Sequence, residues 1–100
     1  MLDHYVMFKL KPECRDDLDE VMRQLDGLRA GVPAIRFAEV IVDQLRGPNS
    51  FDVLFHIRLD DRRAFTEDYM PHPNHVPVQR YIEARVCGIA DIDVECEEVI

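Results

Sequence analysis

The stretch His4-Tyr5-Val6-Met7-Phe8-Lys9-Leu10-Lys11 predicts a β-strand with apolar side chains on both faces. Such a strand needs cover on both sides, and a single layer of helices covers only one of them. Pro12 follows at once and ends the strand, because proline has no backbone N–H to donate to a neighbour. The stretch therefore predicts a sheet with helices on one face and a second apolar surface on the other.

The next segment predicts a helix. Asp17-x-x-Glu20 has the spacing of a capping box, which begins a helix. Gly27, Gly31 and Pro33 then close it. Between these signals one stripe of apolar residues recurs at helical spacing, namely Leu18, Val21, Met22, Leu25 and Leu28.

Residues 35–44 and 51–59 predict two further strands, joined by a loop at 46–50. The first has apolar residues on both faces, with Ile35, Phe37 and Ile41 on one and Ala38, Val40 and Val42 on the other. The second has one main apolar row, formed by Phe51, Val53, Phe55, Ile57 and Leu59. His56 belongs to the other face and is expected to point away from this row.

The last third of the chain predicts two helices and a final strand. In a short helix over 61–69, Phe65 and Tyr69 are four residues apart and face the same way. The following helix, which ends near Gly88, is marked by Val78, Tyr81, Ile82 and Arg85. In the alternating final strand we expect Ala90, Ile92, Val94 and Cys96 inward, and Asp91, Asp93, Glu95 and Glu97 outward on a solvated face.

The element order β-α-β-β-α-(α)-β predicts a single domain over residues 1–100. With right-handed crossovers and a short loop between the second and third strands, this order is typical of the ferredoxin-like split βαβ sandwich. The fold class is α+β, with helices on one face of a four-stranded antiparallel sheet. The open apolar face predicts a homodimer whose sheets pack face to face around a barrel-like interior.

Composition argues against several classes of partner. The chain has 20 acidic and 12 basic residues and a net charge of −8, without a clustered basic surface for nucleic acid or anionic lipid. No apolar run approaches the roughly 20 residues of a membrane span, and no signal peptide precedes the first strand. The three cysteines are an odd number without C-x-x-C spacing. These features predict a reduced, cytoplasmic protein.

Residues 67–75, EDYMPHPNH, place a phenol and two imidazoles around a turn with two prolines. We expect Met70 and His72 to be extended, because each precedes a proline. His75 would then lie on the first turn of the next helix, whose dipole disfavours an imidazolium. A neutral imidazole near the Tyr69 phenol can act as an acid–base pair. The plainer interpretation is a rigid connector in which the histidines cap or pack.

The chain resembles the stress-responsive A/B barrel (Dabb) family of dimeric α+β barrels over nearly its whole length. The resemblance rests on four segments: the opening strand 4–9, Phe51-Asp52-Val53 leading to Leu59-Asp60-Asp61, Tyr69-x-x-His72-Pro73-x-His75, and Ile92-Asp93-Val94. The Tyr-x-x-His-Pro-x-His element, at its distance from the opening histidine, is the most specific of these.

One group in this family consists of polyketide cyclases, which close a linear polyketide by an aldol-type carbon–carbon bond. The resemblance implies that Tyr69 and His75 form the acid–base pair, and that His4 and His72 line the same cavity. A further cavity histidine of the cyclases, on the third strand, is matched here by Val53, or by Leu54 if the gap is placed differently. The absence of that histidine is a departure from the cyclase pattern.

The chemistry implied by the resemblance needs no cofactor. His75 would remove a proton next to a carbonyl, and Tyr69 would donate a hydrogen bond to the oxyanion that forms. Phe8, Phe65 and Val78 are expected to form an apolar pocket for a small apolar or aromatic ligand.

Three alternatives remain open at this point. The same residues could knit the Pro-His-Pro turn to the first strand in a non-catalytic, stress-associated dimer. A cofactor-independent oxygenase or a haem-binding relative would share the fold, but the chain has no Trp. His72-x-x-His75 with His4 could bind a metal, but no carboxylate is spaced to complete the ligand set, and we predict no metal.

Overall fold

The structure, a computed structural model, describes residues 1–96. The predicted outward position of Glu97 lies outside this range. The strands are β1 (Leu2–Leu10), β2 (Phe37–Val42), β3 (Val53–Leu59) and β4 (Val86–Glu95), and the α-helices are α1 (Leu18–Gly31) and α2 (Val76–Glu83). A 3-10 helix over Pro12–Asp17 precedes α1, and a π-helical segment over Ala64–Tyr69 precedes α2. None of the helices in this range is long and apolar enough to cross a membrane.

The four strands form one antiparallel sheet in the order β2-β3-β1-β4. This is the predicted ferredoxin-like split βαβ arrangement, with β1 in the interior of the sheet. His4 is opposite Ile57 on β3 and Asp93 on β4. Side chains of these three residues therefore share one face of the sheet.

The hydrophobic core lies between that face and the helices. It is formed by the even-numbered apolar side chains of β1, the odd-numbered ones of β3 and the inner stripe of α1, which includes Val21, Leu25 and Leu28. Phe55 and Ile57 are almost fully enclosed. Each such side chain contributes about 1.5–3 kcal/mol by leaving water, so these rows fix how the helices lie on the sheet.

The opposite face of the sheet has no helical cover in residues 1–96 and remains open. Its partly exposed hydrophobic residues come from three strands and are Met7, Phe37, Ile41, Ile92 and Val94. The prediction of a second apolar surface is therefore confirmed. His56 lies on this face, as expected, and stacks on Tyr5 with ring centroids 4.2 Å apart.

The predicted faces of β4 were wrong. Asp91 and Asp93 lie on the helix-covered side, opposite Val6 and His4, whereas Ile92 and Val94 lie on the open side. Alternation separates the two faces of a strand but does not say which one the helices cover. Because β4 is an edge strand, carboxylates on its helix-covered side can still be hydrated.

Two local predictions were also wrong. Asp17 precedes α1, but its carboxylate accepts a hydrogen bond from Arg85 at 3.1 Å and does not cap the helix, while Glu20 pairs with Arg23. Met70 is helical (φ −56°, ψ −45°) and not extended, because its N–H closes the π-helical turn onto Phe65. The helix still ends there, since Pro71 has no N–H to continue it.

Strand β2 is shorter than predicted and begins at Phe37. Ile35 precedes it and is buried in the core, whereas Phe37 and Ile41 are partly exposed on the open face. The three residues therefore do not share a surface, because the chain bends between Ile35 and the first ladder position.

Candidate functional site

A cavity of 310 Å³ lies between the sheet and the helices. This volume is in the range of small-molecule sites. Its apolar walls include Val6, Phe8, Leu25, Phe55, Phe65 and Val78. The polar side chains that line it are His4, Tyr69, His75, Gln79, Glu83, Asp91 and Asp93.

The π-helical segment and the turn after it bring Tyr69 and His75 together. The Met70 N–H donates to the Phe65 carbonyl at 3.0 Å, which widens the last turn, a feature frequent at functional sites. The rings of Tyr69 and His75 then lie 4.2 Å apart, centroid to centroid. Their exposed fractions are 3% and 6%, so neither side chain projects into bulk solvent.

A backbone contact defines the protonation pattern of His75. Its Nδ1 lies 2.9 Å from the Met70 carbonyl oxygen, which can only accept a hydrogen bond. Nδ1 therefore carries the proton, and the Nε2 of a neutral ring has a free lone pair. Burial lowers the pKa of His75 and outweighs the hydrogen bond to the Met70 carbonyl, which raises it; His4 and His72 lower the pKa by smaller amounts, and Glu83 raises it slightly. The expected neutral ring thus depends mainly on burial rather than on the helix dipole.

The Tyr69 hydroxyl has no hydrogen-bond partner within residues 1–96. Every fully enclosed side-chain nitrogen or oxygen in that range has a partner, so this hydroxyl must face open space, and the space beside it is the cavity. Burial raises the pKa of Tyr69 above its ordinary value, which keeps the phenol protonated. Tyr69 is therefore a neutral donor directed at whatever fills the cavity.

A second polar pair lies across the cavity, between β1 and β4. His4 Nδ1 is 2.5 Å from Asp93 Oδ1, and the His4 ring packs 4.8 Å from that of Phe65. The carboxylate fixes the ring orientation and leaves Nε2 of His4 as the second free nitrogen. Sequence reasoning missed Asp93, which it assigned to a solvated face. The signal that reveals it is its position opposite His4, and this required the strand register.

Six of the eight predicted site residues surround the cavity: His4, Phe8, Phe65, Tyr69, His75 and Val78. Val53 and His72 do not, and the expectation that they line it was wrong. Val53 is buried between β1 and β2, opposite Phe8 and Val42. His72 belongs to the turn, where its Nδ1 accepts the Asn74 N–H at 3.0 Å.

The geometry gives no support to the metal alternative. His72 is outside the cavity, so the proposed set of His4, His72 and His75 does not converge. Across residues 1–96, no three His, Cys, Asp or Glu side chains are grouped as metal ligands.

The model of the stress-responsive A/B barrel domain matches residues 2–96 of the chain. The chain belongs to this family. No curated protein matches it significantly. The family assignment made from the sequence motifs is therefore confirmed, and it covers every residue that lines the cavity.

Solved structures with the same fold are numerous in this family and around it. A dimeric ferredoxin-like protein of unknown function from Jannaschia is 25% identical, with a TM-score of 0.78 over 95% of this chain and 98% of that one. A similar dimeric protein from Thermobifida fusca is 19% identical, with a TM-score of 0.83 over 95% and 90%. A hydroxynitrile lyase from Passiflora edulis is 13% identical, with a TM-score of 0.81 over 99% and 95%. These likenesses support the fold.

Proposed function

We propose that this A/B barrel protein is a cofactor-independent acid–base enzyme that acts on a small apolar or aromatic carbonyl compound. The reaction class is proton removal next to a carbonyl, as in an aldol-type cyclisation, a lyase reaction or an isomerisation. The observation that carries the proposal is the Tyr69 hydroxyl, which lacks a partner in residues 1–96 although the side chain is only 3% exposed and its ring packs against that of His75. A structural tyrosine in such a place would be expected to have its hydroxyl satisfied.

In this proposal Tyr69 and His75 divide the chemistry. The Tyr69 hydroxyl donates a hydrogen bond to the substrate carbonyl oxygen, where negative charge develops. The free Nε2 of His75 removes the proton from the neighbouring carbon, and the Met70 carbonyl stabilises the imidazolium that results. The lowered pKa of His75 keeps the base form populated at neutral pH.

His4 and Asp93 have a supporting part in the same mechanism. Asp93 holds His4 in one orientation, as a carboxylate orients the histidine of a catalytic triad. His4 Nε2 can then accept a hydrogen bond from a substrate hydroxyl, or take the proton of that hydroxyl and return it at the end of the reaction. The apolar walls lower the local dielectric, which strengthens polar contacts made on their side of the cavity.

Deuterium exchange tests the proposal without knowledge of the natural substrate. Small aryl ketones, with acetophenone and phenylacetone as first probes, are incubated in D₂O, and loss of the α-proton signal is followed by NMR. We expect the protein to accelerate exchange, and His75→Ala and Tyr69→Phe each to reduce the rate on the order of a hundredfold or more. The melting temperature of both variants should change little.

The matched control is His72→Ala. It removes a histidine from the same turn, but one whose ring lies outside the cavity and bonds the Asn74 backbone. We expect its exchange rate to equal that of the wild type. If the wild type accelerates no exchange, and His75→Ala and Tyr69→Phe mainly lower the melting temperature, the non-catalytic alternative is correct. That alternative has its own support, since His75 braces the turn through the Met70 carbonyl.

We also propose that the protein is a homodimer through the open sheet face. Support comes from the partly exposed Met7, Phe37 and Ile92 on that face, and from related structures described as dimeric. Leu54→Asp, on the same face, should shift sedimentation at micromolar concentration toward the monomer, because a buried charge opposes association. Leu45→Asp is the control, since Leu45 is 91% exposed. A wild-type monomer would contradict the proposal.

We further propose that the protein is cytoplasmic, because its three free cysteines suit a reducing compartment.

A further inference from the structure

The cavity is lined on one side by three carboxylates and by no lysine or arginine of residues 1–96. Asp91 and Asp93 are contributed by β4, and Glu83 by the end of α2. Asp93 is paired with His4, whereas Glu83 and Asp91 have no ion-pair partner in the described part of the chain. Arg62 borders a neighbouring depression, but its guanidinium is paired with Glu95 at 2.6 Å.

These carboxylates belong to the solvent-exposed part of the cavity lining. Glu83, Asp91 and Asp93 are exposed, while Tyr69 and His75, which line the same cavity, are buried. Glu83 is close enough to His75 to influence its charge. Because these carboxylates line the same cavity as Tyr69 and His75, a molecule that fills the cavity lies beside this negative rim.

We infer that Glu83 and Asp91 select the charge of the substrate, so that the site takes an uncharged carbonyl compound and rejects carboxylates and phosphates. Like charges in a partly enclosed site repel more strongly than in bulk water, because the apolar walls lower the local dielectric and focus the field. Among residues 1–96, no lysine or arginine lines the cavity to compensate this field for an anionic ligand. The inference rests on the proposed function, since it concerns the ligand of the same cavity.

The volume further limits the substrate. A dry cavity of ~150 Å³ is enough for benzene, and this cavity measures 310 Å³. The site therefore has room for one aromatic ring with short substituents, or a chain of similar bulk. An uncharged aryl ketone or aldehyde fits both the volume and the rim.

Two probes of nearly the same shape test the charge preference. Para-diacetylbenzene is uncharged, and para-acetylbenzoate replaces one acetyl group by a carboxylate. Binding is measured at pH 7 by NMR titration, with shifts of the Tyr69 and His75 signals as the reporter of the cavity. We expect the uncharged probe to bind on the order of tenfold or more tightly. Added salt should reduce the ratio, because ions screen the rim.

The variant that tests the assignment is Glu83→Gln combined with Asp91→Asn. Neither residue belongs to the proposed acid–base machinery, and both are exposed, so the fold should tolerate the change. We expect the preference to fall by at least about threefold, through tighter binding of the anion. Glu13→Gln with Asp26→Asn is the matched control, because it removes the same two charges from exposed positions outside the cavity. Its preference should equal that of the wild type.

Equal binding of the two probes, or tighter binding of para-acetylbenzoate, would overturn the inference and leave the acid–base proposal intact. An equal loss of preference in the control variant would also overturn it, since net charge and not the rim would then be responsible. If neither probe shifts the Tyr69 and His75 signals at millimolar concentration, the small-molecule site itself fails, and the inference fails with it.

Discussion

Both faces of the sheet hold a buried histidine in contact with carboxylate, and their surroundings differ. On the covered face His4 meets Asp93, and the pair borders a cavity. On the open face His56 lies between Asp3, at 2.7 Å, and Glu39, at 3.1 Å. Tyr5 stacks on the His56 ring with only 11° between the planes and closes this second cluster.

The difference lies in how completely the polar groups are satisfied. Both nitrogens of His56 face carboxylate oxygens, and Asp3 also accepts from Arg58 Nε at 3.0 Å. On the covered face the Tyr69 hydroxyl and one nitrogen each of His4 and His75 have no hydrogen-bond partner in residues 1–96, and all three side chains line the cavity. A histidine with every partner in place braces a fold, whereas convergent groups without partners prepare a site for a ligand.

Removal of Asp3 should have the largest effect on stability. Asp3→Ala leaves His56 and Arg58 without the carboxylate that both contact, and the Asp3 side chain is only 8% exposed. We expect a loss of about 2 kcal/mol in the free energy of unfolding, the range of hydrogen bonds to charged groups. Urea denaturation measures it. A loss near zero would mean that the open-face cluster is not a brace.

Removal of Asp93 should have little effect on stability but should reduce the activity. The Asp93 side chain is 44% exposed, so the Asp93→Ala variant should lose less than about 1 kcal/mol of stability. Its rate of ketone deuterium exchange should fall, because His4 loses its fixed orientation. Asp93→Asn, whose amide oxygen can still accept from His4, should recover part of that rate. If Asp93→Ala loses much stability but keeps the wild-type exchange rate, the pair of His4 and Asp93 is structural, like the cluster around His56.

His75 on the covered face and Asp3 on the open face should make the stability depend on pH in different ranges. Burial lowers the pKa of His75, so below its unfolded pKa of about 6.5 the unfolded chain binds the proton more readily. This contribution to stability is complete above that pH and declines as the pH falls toward the lower folded pKa. The pH dependence of unfolding in His75→Asn should lack the decline. An unchanged slope near pH 6 would contradict the assignment.

The pH range in which Asp3 affects stability is lower than that of His75. Burial raises the pKa of Asp3, but hydrogen bonds from Arg58 and His56 together outweigh it, and the net shift is downward. Its contribution is therefore complete above the unfolded value of about 3.9 and is lost as the pH falls through the lower folded pKa. Asp3→Asn should flatten the stability curve below pH 4 and leave the slope near pH 6 unchanged. The reverse pattern would assign the acid response to another group.

The sequence was sufficient for the fold because the apolar rows of β1, β3 and α1 are long and regular. It also predicted the meeting of Tyr69 and His75, because one short turn controls their separation. It could not predict the role of Asp93, since two residues 89 positions apart in the chain meet only through strand register. Nor could it tell which row of β4 the helices cover, because both rows alternate equally well.

Local signals failed where a tertiary contact competed with them. Asp17 and Glu20 have the spacing of a capping box. The Asp17 carboxylate nevertheless accepts a hydrogen bond from Arg85, 68 residues later in the sequence, instead of capping the helix. Met70 precedes a proline yet stays helical, because a backbone hydrogen bond to Phe65 outweighs its local preference. His72 matches the family motif, and the structure assigns it to the turn.

The pairing of β1 with β4 has a consequence for how the protein acquires its site. β1 is made first and β4 last during synthesis, and they pair from Leu2 with Glu95 to Leu10 with Val86. Contacts between such distant residues form slowly, because a long loop must close before they contribute. His4 therefore stays without Asp93 until β4 has left the ribosome. Completion of the cavity and completion of folding are the same event, so a chain that stops before β4 should have neither.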